Sequence, residues 1–133
     1  MLRVVIDTNV VVSAIVADGK PRELVLKLLE KHTVIFSPQM LTELSDVILR
    51  DKFEVKTFQV KRFIAYLTDN AKVVNCASLF KVIAEDPDDD KILDAAYGGK
   101  ANYVVTGDKH LLALGKFKRT KIVSVNSMLE IIG

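Results

Sequence analysis

A chain of 133 residues, half of them hydrophobic, has the size and composition of one domain with a real core, which excludes a disordered chain. The formal net charge of +2 is too small to announce a nucleic-acid binder by itself, and no apolar run approaches the roughly 18 residues of a membrane span. The one cysteine, Cys76, excludes an internal disulfide framework; it reads as a small buried apolar residue and suits a reducing cytosol.

Leu2, Val4, Val5 and Ile6 are apolar and mostly β-branched, as in a strand buried on both faces. One Arg before so short a run is not expected to be a signal peptide, and the expected location is the cytoplasm. The strand ends in Asp7, followed by Thr8 and Asn9, residues that favour caps and turns. Asn9 to Val16 predicts a short buried helix, and Asp18-Gly19-Lys20-Pro21 a turn. A second helix follows over Arg22 to Lys31, with Leu24, Val25, Leu28 and Leu29 inward. Thr33 to Phe36 is a second strand. Ser37 then caps a helix that opens on Pro38 and turns Met40, Leu41, Leu44, Val47 and Ile48 inward, with Glu43 close to that face.

Glu54 to Leu67 predicts a further helix, with Phe58, Phe63, Ile64 and Leu67 apolar and Lys56, Lys61 and Arg62 exposed. Asp69-Asn70 reads as a turn, Lys72 to Val74 as a weak strand, and Ala77 to Ala84 as a helical turn or a loop. A helix runs from Pro87 or Asp88 to Gly98, stopped by Gly98-Gly99. Asn102 to Val105 is a strand ending in Thr106-Gly107-Asp108. Leu111, Leu112 and Leu114 mark a short helix, Lys121 to Val125 a last strand, and Asn126 caps a terminal helix through Ile132. Alternating strands and helices predict an α/β fold with a mainly parallel sheet.

Acids recur at comparable points: Asp7 after the first strand, Glu43 in the helix after the second, Asp86–Asp90 opening a helix, and Asp108 after the Val104-Val105 strand. Each alone has a plain explanation as a cap, a solvated charge, a complement to a helix dipole or a turn residue. Together they can gather at one sheet edge, where open α/β proteins bind ligands. Gathered carboxylates repel one another unless a cation compensates, and Mg²⁺ or Mn²⁺ is the hard, oxygen-seeking choice. The chain offers no His/Cys set for zinc, and His32 and His110 read as surface residues. Spacing thus predicts a divalent-metal site with phosphate chemistry.

The segment Ile6-Asp7-Thr8-Asn9-Val10-Val11-Val12-Ser13-Ala14 resembles the opening motif of the PIN-domain nucleases. Leu41-Thr42-Glu43-Leu44, running on to Phe53, resembles their second motif. Asp86-Pro87-Asp88-Asp89-Asp90-Lys91-Ile92-Leu93 resembles the third, and Tyr103-Val104-Val105-Thr106-Gly107-Asp108-Lys109-His110-Leu111-Leu112 the fourth. The likeness covers nearly the whole chain and is nearest to the VapC-like branch, toxins of toxin–antitoxin pairs.

The resemblance implies a three-layer PIN-like fold, residues 1–133 forming one domain around a parallel sheet of about five strands in order 3-2-1-4-5. It implies an endoribonuclease that uses Mg²⁺ or Mn²⁺ to hydrolyse RNA phosphodiesters. Asp7, Glu43 and Asp108 would occupy the first, second and fourth acidic positions. The third falls to Asp89, which shares a helical face with Ile92, Leu93 and Ala96, or to Asp90; Asp86 or Asp88 would help through water. Thr8, Asn9 and Thr106 would orient carboxylates or metal-bound water. Lys109, Lys91, Arg50, Lys52, Lys116, Lys118 and Arg119 are the candidate cations to offset repulsion between the acids and an RNA backbone. A cognate antitoxin and a homodimer are implied as partners.

Two other readings compete. A phosphatase of the haloacid-dehalogenase kind wants a second Asp where Asn9 stands, and a receiver domain wants an Asp that the Val74-Asn75-Cys76 region lacks. The other is a PIN-like module that binds RNA or protein without cutting, against which the full set of acids speaks.

Overall fold

In a computed structural model, residues 1–50, 57–75 and 87–133 are described, the side chains of residues 49, 50, 57 and 87–90 excepted. Cys76, Lys52, Asp86, residues 54–56 and the Ala77 to Ala84 segment lie outside the described residues, as do the side chains of Arg50, Asp88, Asp89 and Asp90.

The buried apolar runs form the middle of the sheet. β1 (Arg3–Ile6) pairs in parallel with β2 (Thr33–Phe36) on one side and with β4 (Tyr103–Val105) on the other. Val4, Val5, Ile6, Val34, Ile35, Phe36, Val104 and Val105 are all fully buried, as a strand covered on both faces requires. β3 (Ala71–Val73) lies outside β2, and β6 (Thr120–Val123) lies outside β4. The last member is β5 (Lys116–Phe117), antiparallel to β6, so the order is β3-β2-β1-β4-β6-β5. The expected five-strand order is present. The sixth strand is an addition: a two-residue strand has no period to read and forms only because Phe117 and Thr120 bury against the core.

The helices cover the sheet. α1 (Thr8–Val16) packs on α2 (Lys20–Lys31) and on α3 (Pro38–Arg50). α5 (Pro87–Gly98) packs on β1, β2 and β4. α4 (Thr57–Asn70), α6 (Lys109–Leu114) and α7 (Val125–Ile132) complete the set among the described residues. None of the described helices is long and apolar enough to cross a membrane.

Four local expectations change. Asp69-Asn70 is not a separate turn: α4 runs to Asn70, and the Thr68 hydroxyl and Asn70 amide donate to the Ile64 and Tyr66 carbonyls, satisfying its last turn. α7 is capped by Ser124, whose hydroxyl accepts from the Ser127 N–H at 3.1 Å, and not by Asn126, because β6 ends at Val123. At the end of α5 the left-handed residue is Lys100 (φ 53°) and neither glycine of the pair. His32 is half-buried, its Nδ1 accepting from the Leu2 N–H at 3.0 Å; His110 is exposed, as expected.

Candidate functional site

Asp7 and Asp108 follow neighbouring strands, and the ladder continues into the residues beyond them. The Asp7 N–H donates to the Val105 carbonyl at 2.9 Å, and the Thr106 N–H donates to the Val123 carbonyl at 3.0 Å. Both acids are helix caps. Asp7 Oδ1 accepts from the Asn9 N–H at 3.0 Å and opens α1. Asp108 Oδ1 accepts from the N–H groups of His110 at 2.8 Å and Leu111 at 3.2 Å and opens α6. Cap and site are therefore one arrangement: a capping bond occupies one oxygen and fixes the rotamer.

Thr106 joins the two. Its hydroxyl donates to Asp7 Oδ2 at 2.6 Å, a charge-assisted length, and accepts from the Asp108 N–H at 3.0 Å. A carboxylate can only accept and an amide N–H can only donate, so the direction of the hydroxyl proton is fixed. Asp7, Thr8 and Thr106 are buried, while Asp108 is half-buried and Asn9 exposed.

These residues line an open pocket of about 730 Å³. Its other walls come from Val10 and Ser13 of α1, Lys20 and Pro21 opening α2, Gly107, and Ser124, Val125 and Asn126 at the start of α7. Glu43 lies elsewhere. It is half-buried and lines a separate depression of about 500 Å³ with Pro38, Gln39, Thr42, Asp46, Val47 and Lys91. The structure thus brings Asp7, Asn9, Thr106 and Asp108 into one pocket and sets Glu43 with Lys91 in another. α3 packs against both α1 and α5, so the two depressions belong to one connected set of elements. Asp89 and Asp90 stand in the first turn of α5, just before Lys91.

The other expected cations are dispersed. Lys109 is exposed beside Asp108 without lining the pocket. Lys116, Lys118 and Arg119 are exposed on the β5–β6 hairpin, around the start of β6. β6 runs parallel to β4, so its start lies at the sheet edge opposite the acids. Sequence reading missed Lys20, Ser13 and Asn126, which come from elements that only tertiary packing places here. It also missed Asp94, a buried acid in α5; an acid inside the run Ile92-Leu93-Asp94-Ala95-Ala96 was the available signal.

The donor set suits a hard cation. Among the described residues no three His, Cys, Asp or Glu gather to hold a metal, and the pocket offers two carboxylates. Mg²⁺ is typically held by one or two carboxylates, with waters and substrate phosphates completing the shell. Asp7, Asp108 and the neutral oxygens of Asn9, Ser13 and Asn126 fit that pattern, and among the described residues no imidazole or thiol lines the pocket to favour a softer ion.

Comparison with known proteins identifies a family. The PIN-domain family model matches residues 3–110. Uncharacterized protein MJ1680 of Methanocaldococcus jannaschii is 34% identical over 118 residues, which span 85% of this chain and 75% of that protein. A chain in the crystal structure of VapBC2 from Rickettsia felis, bound to a DNA fragment from its promoter, superposes with a TM-score of 0.64. At 16% identity the match covers 92% of this chain and 98% of that one, and shows the likeness of fold.

Proposed function

The chain belongs to the PIN-domain family, and from that premise we propose that it is a divalent-metal-dependent endoribonuclease hydrolysing RNA phosphodiester bonds. The observation that carries this reading is the pair of acids past the ends of adjacent central strands, linked by the Thr106 hydroxyl through the Asp7 carboxylate and the Asp108 main-chain N–H, and lining one pocket.

Asp7 and Asp108 would hold the ion, with Glu43 and Asp89 or Asp90 approaching from α3 and α5. When bound, Mg²⁺ or Mn²⁺ supplies Lewis-acid polarisation of a phosphate, a more acidic water and stabilisation of a leaving oxygen. The chain's own part is preorganisation. The Asn9 N–H and the Thr106 hydroxyl hold the two oxygens of Asp7 in place, and the α6 amides hold one oxygen of Asp108. Both carboxylates are held aimed without rearranging as substrate arrives.

We also propose a cognate protein partner; the likeness of fold to a chain of the Rickettsia felis VapBC2 structure supports this reading. We read the chain as the toxin of such a toxin–antitoxin pair, and we propose separately that it is cytoplasmic and a homodimer.

The test is cleavage of end-labelled RNA with Mg²⁺, Mn²⁺ or EDTA. The wild type is expected to cut with either metal and not with EDTA. Asp7→Asn is expected to lose more than the roughly 10- to 100-fold typical of residues that merely orient a ligand. No cutting with any metal, or equal cutting by the variant, overturns the proposal.

A further inference from the structure

The pocket that holds Asp7 and Asp108 has one cation among its described lining residues, Lys20. Two carboxylates facing an incoming phosphodiester need a compensating charge. Among the described residues, none of the cations expected from the sequence lines this pocket.

The backbone at Lys20 is held in place by its surroundings, and the side chain is exposed. α1 and α2 meet in a tight elbow at Asp18-Gly19, where Gly19 takes φ 154°, a conformation that favours glycine. The Arg22 guanidinium locks the elbow. Its Nε donates to the Ala14 carbonyl at 2.7 Å, its Nη2 to the Ile15 carbonyl at 3.0 Å, and its Nη1 to Asp18 at 2.6 Å. Arg22 thereby closes the C-terminal carbonyls of α1 and consumes the nearest acid. Glu23, the next acid along, pairs with Lys27 at 3.3 Å. Both acids of the elbow are engaged by other cations, and Lys20 makes no ion pair among the described residues. It begins a helix that has no side-chain cap, so the positive end of the α2 dipole adds to its charge.

We propose that Lys20 is the phosphate anchor of this pocket: its ammonium binds the RNA phosphate flanking the one presented to Asp7 and Asp108. This rests on the ribonuclease reading. The substrate backbone then leaves the acids toward the α1–α2 elbow, and Lys20 acts on binding while the carboxylates act on chemistry.

The experiment uses a fluorescein-labelled single-stranded oligoribonucleotide. Anisotropy in EDTA compares the full-length wild type with Lys20→Ala, Lys20→Arg and the control Lys31→Ala, at the other end of α2; thermal unfolding verifies that each is folded. Lys20→Ala is expected to weaken binding roughly three- to tenfold and to lower the slope of log affinity against log salt by about 0.7, the share of one single-strand phosphate contact. Lys20→Arg and Lys31→Ala are expected to stay within about twofold of wild type. With Mg²⁺, Lys20→Ala should raise KM several-fold and leave kcat within about twofold. Unchanged affinity, salt slope and KM in Lys20→Ala overturn the anchor while leaving the nuclease reading intact. A wild type that binds RNA but never cuts it overturns the nuclease reading, and with it an anchor defined relative to a cleavage site. A wild type that neither binds nor cuts overturns both.

Discussion

Thr106 is the residue on which the geometry of the acids turns. It is fully buried and satisfies two polar groups at once, the second oxygen of Asp7 and the amide of Asp108. Replacing it with the near-isosteric valine keeps the packing and removes both bonds. A buried carboxylate and a half-buried N–H then each lose a hydrogen bond, at a cost of about 1–3 kcal/mol. The Asp7 carboxylate also loses one of the bonds that orient it. Thr106→Val is therefore expected to lower cleavage by roughly 10- to 100-fold. Thr106→Ser, which keeps the hydroxyl, is expected to recover most of it. Rates of the two variants on one RNA substrate, with urea denaturation alongside, check this; a valine variant with wild-type activity removes Thr106 from the site. The two acids were readable because Asp7 directly follows one apolar strand and Asp108 stands just beyond another, after Thr106-Gly107. The threonine's orienting role came from resemblance, and only the tertiary pairing of β1 with β4 shows that it reaches Asp7, 99 positions away.

At the scale of elements, the end of α5 shows why glycines can mislead a sequence reading. Gly98-Gly99 reads as a left-handed helix stop, yet the left-handed residue is Lys100. Gly99 serves a different need, since a Cβ there would lie 2.8 Å from Ile35 Cγ2 and 3.0 Å from the Ala95 carbonyl oxygen. Ile35 is wholly buried in β2 and its Cγ2 is fixed to the branched carbon, so it cannot swing away. Gly99→Ala is expected to lose about 1–3 kcal/mol, visible as a lower urea midpoint with an unchanged slope; an unchanged midpoint rejects the close approach. The Arg3 guanidinium donates to the Gly99 carbonyl at 2.8 Å, so this contact also fixes the chain leading into β4. Elements with strong local signals were legible: the run Thr33–Phe36, and the Ser37-Pro38 start of α3, where the Ser37 hydroxyl accepts from the Met40 N–H at 3.2 Å. Where two residues compete for one role, as Ser124 and Asn126 do for the α7 cap, the end of the strand decides, and strand pairing fixes that end.

At the scale of the molecule, the sheet order explains why the pocket lies where it does. From β1 the chain moves outward to β2 and β3, then returns to β4 on the other side of β1. The reversal falls between β1 and β4, where α1 and α6 depart from adjacent strand ends, the crevice in which open α/β sheets bind ligands. Asp7 and Asp108 stand on its two sides and are separate in an unfolded chain. A cation that needs both carboxylates therefore binds the folded state and stabilises it by mass action. At free Mn²⁺ about ten times its dissociation constant, the gain is about 1.4 kcal/mol. For a chain of this size, that corresponds to a rise of roughly 3–5 °C in Tm. Asp7→Asn and Asp108→Asn are each expected to remove most of the rise. Lys20→Ala is expected to keep it, because an ammonium does not ligate the ion. Thermal unfolding of the three variants, with Mn²⁺ and with EDTA, separates the roles: an equal rise in both asparagine variants would place the ion outside this pocket.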